Sequence, residues 1–576
     1  MPGKSFLYGS FEPTRGAETV PSCRLTRNTS VIGEMLGAFL MPIPSGILLG
    51  CSFRGGPAHW FAWFALVPVA AAISNRTHLV ATSAGMYCAG LLFNLITTDW
   101  IRTLEGGAAL SGRSAPDWLL QSELLALFWP LTLVLGRLLV RNWQVPMSFA
   151  LPVVWIIHEQ MLRSLWAFVD RTGWQVYFLG YAIVDHHYIS QIADLGGVAA
   201  LSVLAACTSG AAWDLLDSIW NGNENRTSTC RASIGMGMAI SLLLLSYGYG
   251  AWRISQTHAA EGPQIWLMPE NILKEPIAGL PWQPDEPAAP DILLWSELAF
   301  QGPSIHASGS ENVQSAQTSL PIDQPTSFQR DSGENQSQNA LEELCRQFNV
   351  PLVIGYTRTD HSEAVDKKYN SVAFVDPKDG LQGSYDKVGL VPWTEFTPWE
   401  GLASRKGLRF SHGTNYPVFQ LRGRVPSKSH YFAAAVCYDV AFPRLFRRYM
   451  LEKQAPDFFV VCSSERSDGT GQMSRHVLNL AKVRAIECRR TLVRNVHLGC
   501  SGRIGSTGRL LDESIPTLLQ SPTPLGKIPI DQRLTLYVLW GDWLPTTILC
   551  AMTILMVFKF CSRDRSGRFF LLRARS

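Results

Sequence analysis

Residues 432–439 read FAAAVCYD: five apolar, mostly small residues, then Cys437, Tyr438 and Asp439. A short apolar run that ends in reactive or turn residues is the pattern of a strand buried on both faces, as in a layered α/β domain. Working outward, six more runs of the same kind occur: 264–268 (QIWLM), 291–295 (DILLW), 351–355 (PLVIG), 371–375 (SVAFV), 457–462 (DFFVVC) and 491–495 (TLVRN). Residues 339–348 and 473–490 carry helical periodicity between them. Together these place an α/β domain over 260–530. One stretch inside it, 301–338, is rich in Ser, Gln, Gly and Pro and nearly devoid of large apolar residues. It has too little to bury and is expected to be a disordered insert. The Pro-rich 272–290 (ILKEPIAGLPWQPDEPAAP) predicts that a first helix of this domain is reduced or absent.

The rest of the chain has a different composition. Across all 576 residues only 17% are charged, 47% are hydrophobic and 19 are Trp, a bias expected when part of a chain is dissolved in lipid. About 20 apolar residues cross a bilayer, and eight stretches qualify: 31–50, 57–74, 79–98, 118–140, 146–165, 197–213, 233–253 and 535–559. The N-terminal 1–30 is polar, with no short apolar core before a cleavage site, so the first membrane helix is expected to direct insertion. Basic residues choose the orientation. The tail 561–576 carries Arg563, Arg565, Arg568, Arg573 and Arg575, and Lys4, Arg15, Arg24 and Arg27 precede the first helix. Even-numbered crossings put both ends on one side, which the excess of Lys and Arg assigns to the cytoplasm. The 260–530 domain is then expected outside, on the periplasmic face of a bacterial inner membrane.

Three segments place one reactive side chain each at the end of an apolar strand: DILLWSE with Glu297, YDKVGLVPWTEF with Lys387 and Glu395, and AAAVCYD with Cys437 and Asp439. Read singly, each is a solvated strand end, a surface lysine or an inert core thiol. A net charge of +4 is too small and dispersed to argue for nucleic acid. The twelve Cys form no CxxC pair and no Cys/His cluster at zinc spacing, so no metal, cofactor or redox motif is supported. His186 and His187 are adjacent and cannot face one metal as an i, i+4 pair does. Glu123, inside a predicted membrane helix, divides evenly between a functional group and a helix-end placement.

In order and spacing, W-x-E, Y-x-K-x-x-L-V-P and C-Y-[DE] resemble the Glu-Lys-Cys triad of the nitrilase superfamily. With helices before and after the domain, the arrangement resembles the apolipoprotein N-acyltransferase family from about residue 33 to 560. The likeness includes Trp155, Glu159 and Arg163 in W-x-x-x-E-x-x-R, GYAIVD at 180–185, DLGGV at 194–198, RAIE at 484–487 and Gly541-Asp542-Trp543.

The resemblance implies a multi-pass α-helical membrane domain joined to an α-β-β-α sandwich. It also implies acyl transfer from a phospholipid donor, through a thioester on Cys437, to the N-terminal amine of a diacylglyceryl-modified lipoprotein acceptor. Glu297 is implied as base, Lys387 as oxyanion partner, Glu395 as the carboxylate orienting Lys387, with Tyr438 and Asp439 in support. The alternatives are a membrane-bound amidase or hydrolase, an acyltransferase with another amine acceptor, and a noncatalytic scaffold, against which the intact triad argues. This chain departs from the family in three places. Ser296 stands where Pro is usual, and Asp439 where Glu is. SSERSDGTGQ at 463–472 replaces an Asn-Asp-x-Trp-Phe loop, which predicts altered acceptor recognition.

Overall fold

The computed structural model describes residues 23–564 apart from 76–77, 101–113, 144, 171–172, 174, 222–225, 257–259, 271–288, 301–331, 361–365, 393–394, 397–409, 424–428, 466–470, 513–514 and 516–517. The basic tail beyond 564, most of the expected insert, nearly all of the Pro-rich segment and the middle of the 463–472 loop lie outside the described residues.

The N-terminal part is a helical bundle: α1 (Cys23–Leu40), α2 (Ile43–Ser52), α3 (Val67–Ser74), α4 (Leu79–Thr97), α5 (Ser114–Ala126), α6 (Phe128–Trp143), α7 (Met147–Asp170), α8 (Ala193–Asn221) and α9 (Arg226–Ser255). Six stretches among the described residues are long and apolar enough to cross a membrane: Val31–Ser52, Gly56–Ser74, Leu79–Thr97, Trp118–Val140, Ile189–Trp220 and Thr229–Ser255. Leu244 and Leu245 point outward from the bundle into what would be water, an arrangement that fits lipid as the surrounding solvent.

Two of the eight expected crossings differ from the other six. The stretch expected at 146–165 is α7, which is long but falls short of that apolarity because His158, Glu159, Gln160 and Arg163 interrupt it. Glu159 is turned into the bundle, where its Oε1 accepts from Trp155 Nε1 (3.1 Å), Leu179 N (2.9 Å) and Ser202 Oγ (2.9 Å). The crossing expected at 535–559 is broken at Gly541, whose φ of 62° ends a short helix and lets a second one start at Trp543. Its apolar span is therefore Trp543–Lys559, shorter than the other six. Glu123 is on the exposed face of α5.

Between the bundle and the last helix lie two sheets. The first has strand order β11-β1-β2-β3-β4-β5 and the second β10-β9-β8-β7-β6. The strands are β1 (Ala260–Leu267), β2 (Ile292–Leu294), β3 (Leu352–Asp360), β4 (Lys367–Asp376), β5 (Gly380–Asp386), β6 (Val418–Arg422), β7 (Ser429–Val436), β8 (Phe458–Ser464), β9 (Thr491–His497), β10 (Gly502–Ile504) and β11 (Thr523–Ile530). Phe374 of the first sheet packs edge-on against Phe432 of the second at 5.0 Å. Asn495 Nδ2 crosses between the sheets to Leu294 O at 2.6 Å. Helix α10 (Ser332–Phe348) covers the outer face of the first sheet, burying Leu341, Cys345 and Phe348 against Trp295 and Ile354. On the outer face of the second sheet lie α11 (Pro443–Met450), whose Phe446 meets Phe459 at 4.9 Å, and α12 (Gln472–Cys488). The result is the expected α-β-β-α sandwich. All seven expected strands are present, and the helix expected at 339–348 begins earlier, at Ser332. The last residues of the expected insert, 332–338, are thus helical; Gln338 Nε2 donates to Glu342 Oε1 at 3.1 Å along that helix.

Helix α12 lies along the bundle for its whole length. Gln472 donates to Ile96 O (3.1 Å), Arg475 to Arg54 O (2.8 Å), His476 to Val176 O (2.8 Å) and Lys482 to Asp185 (2.6 Å). Arg484 reaches Tyr181 OH (3.2 Å), Glu487 Oε1 accepts from Val198 N (3.1 Å), and Arg489 beyond the helix pairs with Asp194 at 2.6 Å. The C-terminal segment α13 (Leu536–Trp540) and α14 (Trp543–Asp564) close the junction, with Asp542 meeting Arg163 of α7 at 2.8 Å.

Candidate active site

Each of the three expected segments ends at the same point, the rim where the C-terminal ends of β2 and β7 face each other. Glu297 follows β2, where the chain turns sharply enough to put Leu298 at φ 53°. Gly355 on the neighbouring strand makes room for that turn: a Cβ there would stand 2.7 Å from the Glu297 Cα. Lys387 follows β5 and is held by its own backbone, its N–H donating to Asn370 O at 2.8 Å and its carbonyl accepting from Gly413 N at 2.8 Å. Cys437 is not the last residue of the strand, as expected, but the first residue of a 3-10 turn, Cys437–Ala441. Its φ of 44° is a left-handed conformation that a residue with a Cβ adopts only when the surroundings hold it there.

Glu297, Lys387, Glu395 and Cys437 are all buried. Lys387 Nζ lies 3.2 Å from Glu297 Oε1 and 2.9 Å from Glu395 Oε1. Burial by itself would lower the Lys387 ammonium, but the two carboxylates outweigh it and hold it well above its ordinary value. Lys387 is therefore a fixed cation. For the Cys437 thiol, burial and then the Glu297 carboxylate act upward, while Lys387 and the Ser463 hydroxyl act downward; the net is a thiol held high in the resting site. Such a thiol is uncharged at neutral pH, so a nucleophilic role requires a base that takes its proton as it attacks.

Sequence reading did not find Asn370. Its Nδ2 donates to both carboxylates, to Glu297 Oε1 at 2.7 Å and to Glu395 Oε1 at 2.9 Å, so Asn370 and Lys387 share the same two oxygens. The signal was faint: Asn370 stands in KKYNSVAFV just where the strand turns apolar, and an Asn buried there needs a partner. Glu395 Oε2 is occupied by Val391 N (2.8 Å) and Glu297 Oε2 by Ser464 N (2.8 Å). Asp439 touches none of the three central residues. Its carboxylate accepts from Val436 N (2.9 Å), Gly389 N (2.7 Å) and Tyr385 OH (2.8 Å), tying the Cys437 turn to the segment that follows Lys387. Burial pushes that carboxyl up to about 6, against the pull of Lys387 and of those three donors. Tyr438 is half-buried and packs edge-on against Phe442 at 5.1 Å. Ser296, where Pro was expected, donates to Glu270 Oε1 at 2.7 Å.

Glu297, Lys387 and Cys437 thus come together, buried, at the rim of two facing sheets with helices on their outer faces, in a domain of the carbon-nitrogen hydrolase type. Residues 291–521 match the carbon-nitrogen hydrolase family, and residues 45–211 match the apolipoprotein N-acyltransferase N-terminal domain. The chain belongs to the apolipoprotein N-acyltransferase family. Its similarity to the apolipoprotein N-acyltransferase of Rhodopirellula baltica is 24% identity over 90% of this chain and 96% of that one. With the Pseudomonas putida apolipoprotein N-acyltransferase it is 24% over 75% and 78%. With apolipoprotein N-acyltransferase 2 of Treponema denticola it is 24%, spanning about half of each chain (49%). Among solved structures, an amidase from Nesterenkonia sp. aligns at 19% identity over 50% of this chain and 99% of that one, with a TM-score of 0.31.

Proposed function

We propose that this protein transfers an acyl chain from a phospholipid, through a thioester on Cys437, to the N-terminal amine of a diacylglyceryl-cysteine lipoprotein. The observation that carries the reading is the convergence of Glu297, Lys387 and Cys437 in a buried site on a domain docked along α12 onto an apolar helical bundle. Glu297 takes the Cys437 proton as sulfur attacks the ester carbonyl. The resulting oxyanion forms beside the Lys387 ammonium, which Glu395 and Asn370 keep in place. Collapse expels a lysophospholipid, to which Glu297 returns the proton. The acceptor amine then attacks the thioester and gives a proton to Glu297, Cys437 leaves as thiolate, and Glu297 returns that proton to the sulfur. The basic residues flanking the helices favour a bacterial inner membrane with the catalytic domain on the periplasmic face, where such an acceptor is found.

The test uses the full chain in proteoliposomes with labelled phospholipid. Label should appear on Cys437 as a hydroxylamine-sensitive thioester and leave faster to a diacylglyceryl-cysteine peptide than to water. Cys437→Ala should carry no label, and Glu297→Gln and Lys387→Met should load roughly 10²–10³-fold more slowly. Discharge to water at the rate seen with the peptide would replace the transferase reading with a membrane-bound hydrolase. Normal loading by Cys437→Ala would remove the thioester altogether.

A further inference from the structure

The segment that departs most from the family pattern, 463–472, begins inside the active site. The parallel register of β7 and β8 pairs Val436 with Cys462, which puts Ser463 beside Cys437 one step further on. Ser463 is fully buried, and its hydroxyl is near enough to the Cys437 sulfur to act on the thiol, downward. The same hydroxyl lies 3.2 Å from Glu465 Oε1, on the same face of the chain two residues on. Glu465 is in turn buried and ion-paired with Arg494 of β9, itself fully buried. None of these three residues belongs to the Glu-Lys-Cys triad, and among the described residues Glu297 accepts from this segment at the Ser464 N–H.

A serine hydroxyl has one proton to donate. It cannot serve Glu465 and Cys437 together. While the sulfur is a thiol the better acceptor is the Glu465 carboxylate, and the thiol needs no donor. Once the sulfur is a thiolate it becomes the charged acceptor, in a buried site where each such bond is strong. Glu465 can release the proton because Arg494 still neutralises it.

We propose that Ser463, poised between Cys437 and the Glu465–Arg494 pair, is a hydroxyl rotor that donates to the sulfur only when it is a thiolate. This deepens the acyl-transfer reading and rests on Cys437 being its nucleophile. No bond to a heavy atom forms or breaks at Ser463. The Cys437 proton goes to Glu297, and the Ser463 O–H turns from Glu465 Oε1 to Sγ. When the thioester forms, sulfur loses its charge and the O–H turns back. In discharge the same donor stabilises the departing thiolate. Ser463 is thus specific for the sulfur, where Lys387 serves the oxyanion. The charged groups around the sulfur are Glu297 after β2, Lys387 after β5, Glu465 at the end of β8 and Arg494 on β9.

The test is the pH dependence of iodoacetamide alkylation of the full-length protein in detergent, followed at the Cys437 peptide by mass spectrometry. Alkylation needs neither phospholipid nor amine, so its outcome does not depend on the acceptor assigned above. Ser463→Ala should move the midpoint for Cys437 up by about one pH unit, the worth of one hydrogen bond to a charged group, and Ser463→Thr should restore it. Glu465→Gln should move it down further in wild type than in a Ser463→Ala background: removing the carboxylate's field acts in both, while freeing the hydroxyl acts only where Ser463 is present. Equal downward shifts in the two backgrounds would leave only the field of Glu465 and overturn the rotor. Unmoved midpoints in Ser463→Ala, or shifts of one sign in both Ser463→Ala and Glu465→Gln, would overturn the rotor. If Glu465→Gln does not fold, Ser463→Ala against Ser463→Thr decides. Alkylation of Cys437 no faster than of the neighbouring buried Cys462 would instead count against Cys437 as nucleophile.

Discussion

Asn370→Leu should slow acyl loading of Cys437 by roughly 10- to 100-fold without unfolding the protein. Asn370 is fully buried, and one amide group holds the inner oxygens of two carboxylates, 2.7 Å from Glu297 and 2.9 Å from Glu395. Leucine keeps the volume and removes both bonds. A hydrogen bond to a charged group contributes about 1.5–3 kcal/mol, so the bond to Glu297 alone corresponds to roughly 10- to 100-fold in rate if it is needed in the transition state. The bond to Glu395 acts indirectly. Without it the two carboxylates repel across Lys387, whose ammonium is left as their only shared partner. The Asn370 carbonyl still accepts from Lys387 N at 2.8 Å, so the backbone around the lysine is preserved. Single-turnover loading from labelled phospholipid measures the effect, with size-exclusion behaviour and circular dichroism as folding controls. Loading within threefold of wild type in a folded variant would refute the idea that Asn370 sets the carboxylate geometry.

Three further outcomes follow from particular contacts. Because burial raises the Asp439 carboxyl from 3.8 to about 6, its contribution to stability is present below about pH 4 and is lost as pH rises through about 6. The melting temperature of wild type relative to Asp439→Asn should therefore fall between about pH 4 and 7, and a flat difference would contradict the assignment. Gly197→Ala should lower the melting temperature and the yield of membrane-integrated protein. At φ 66° a Cβ is strained by about 1–2 kcal/mol, and it would stand 2.6 Å from the Tyr537 ring and 3.2 Å from Glu487 Oε1; a wild-type melting curve would refute this. Deleting 301–331 should leave loading unchanged, since its Ser-, Gln-, Gly- and Pro-rich composition offers little to bury, whereas a cut extended to 340 removes part of α10 and should cost folding. Equal behaviour of the two deletions would show that α10 does not cap the first sheet.

The sequence showed those parts of the fold that are buried on both sides. FAAAV of β7 and FFVVC of β8 are apolar runs because sheet covers one face and helix or sheet the other, so they stand out from the letters alone. β5 (GLQGSYD), β6 (VFQLR), β10 (GRI) and β11 (TPLGKIPI) did not, because edge or half-exposed strands tolerate polar residues and proline. Glu297, Lys387, Cys437 and Glu395 were legible through their motifs. Asn370, Ser463 and Arg494 were not, since each stands beside another polar residue (KKYNS, CSSE, LVRNV) and its importance comes from a partner 25 or more residues away. Arg494 is the clearest case: inside TLVRN it reads as a strand interruption, and only the end of β8 beside it shows that it neutralises Glu465.

The noncatalytic motifs have a physical reason of their own, and it bears on why this domain is built into a membrane protein. GYAIVD, DLGGV, RAIE and Gly541-Asp542-Trp543 are scattered over more than 350 residues, yet they meet at one junction. Tyr181 receives Arg484, Val198 N donates to Glu487, Leu195 O accepts from Trp543 Nε1, and Asp542 holds Arg163. Arg484 and Glu487 are also paired with each other and fully buried. Removing one member of such a group strands a buried charge, which is far costlier than a lost surface pair. The junction is thus a set of groups that are satisfied only when bundle, α12 and the last helix are assembled together. Helix α12 joins this junction to the active site, because it follows directly from the 463–472 segment that begins beside Cys437. Docking on the bundle and shaping of the sulfur site are therefore set by one continuous stretch of chain, 458–490.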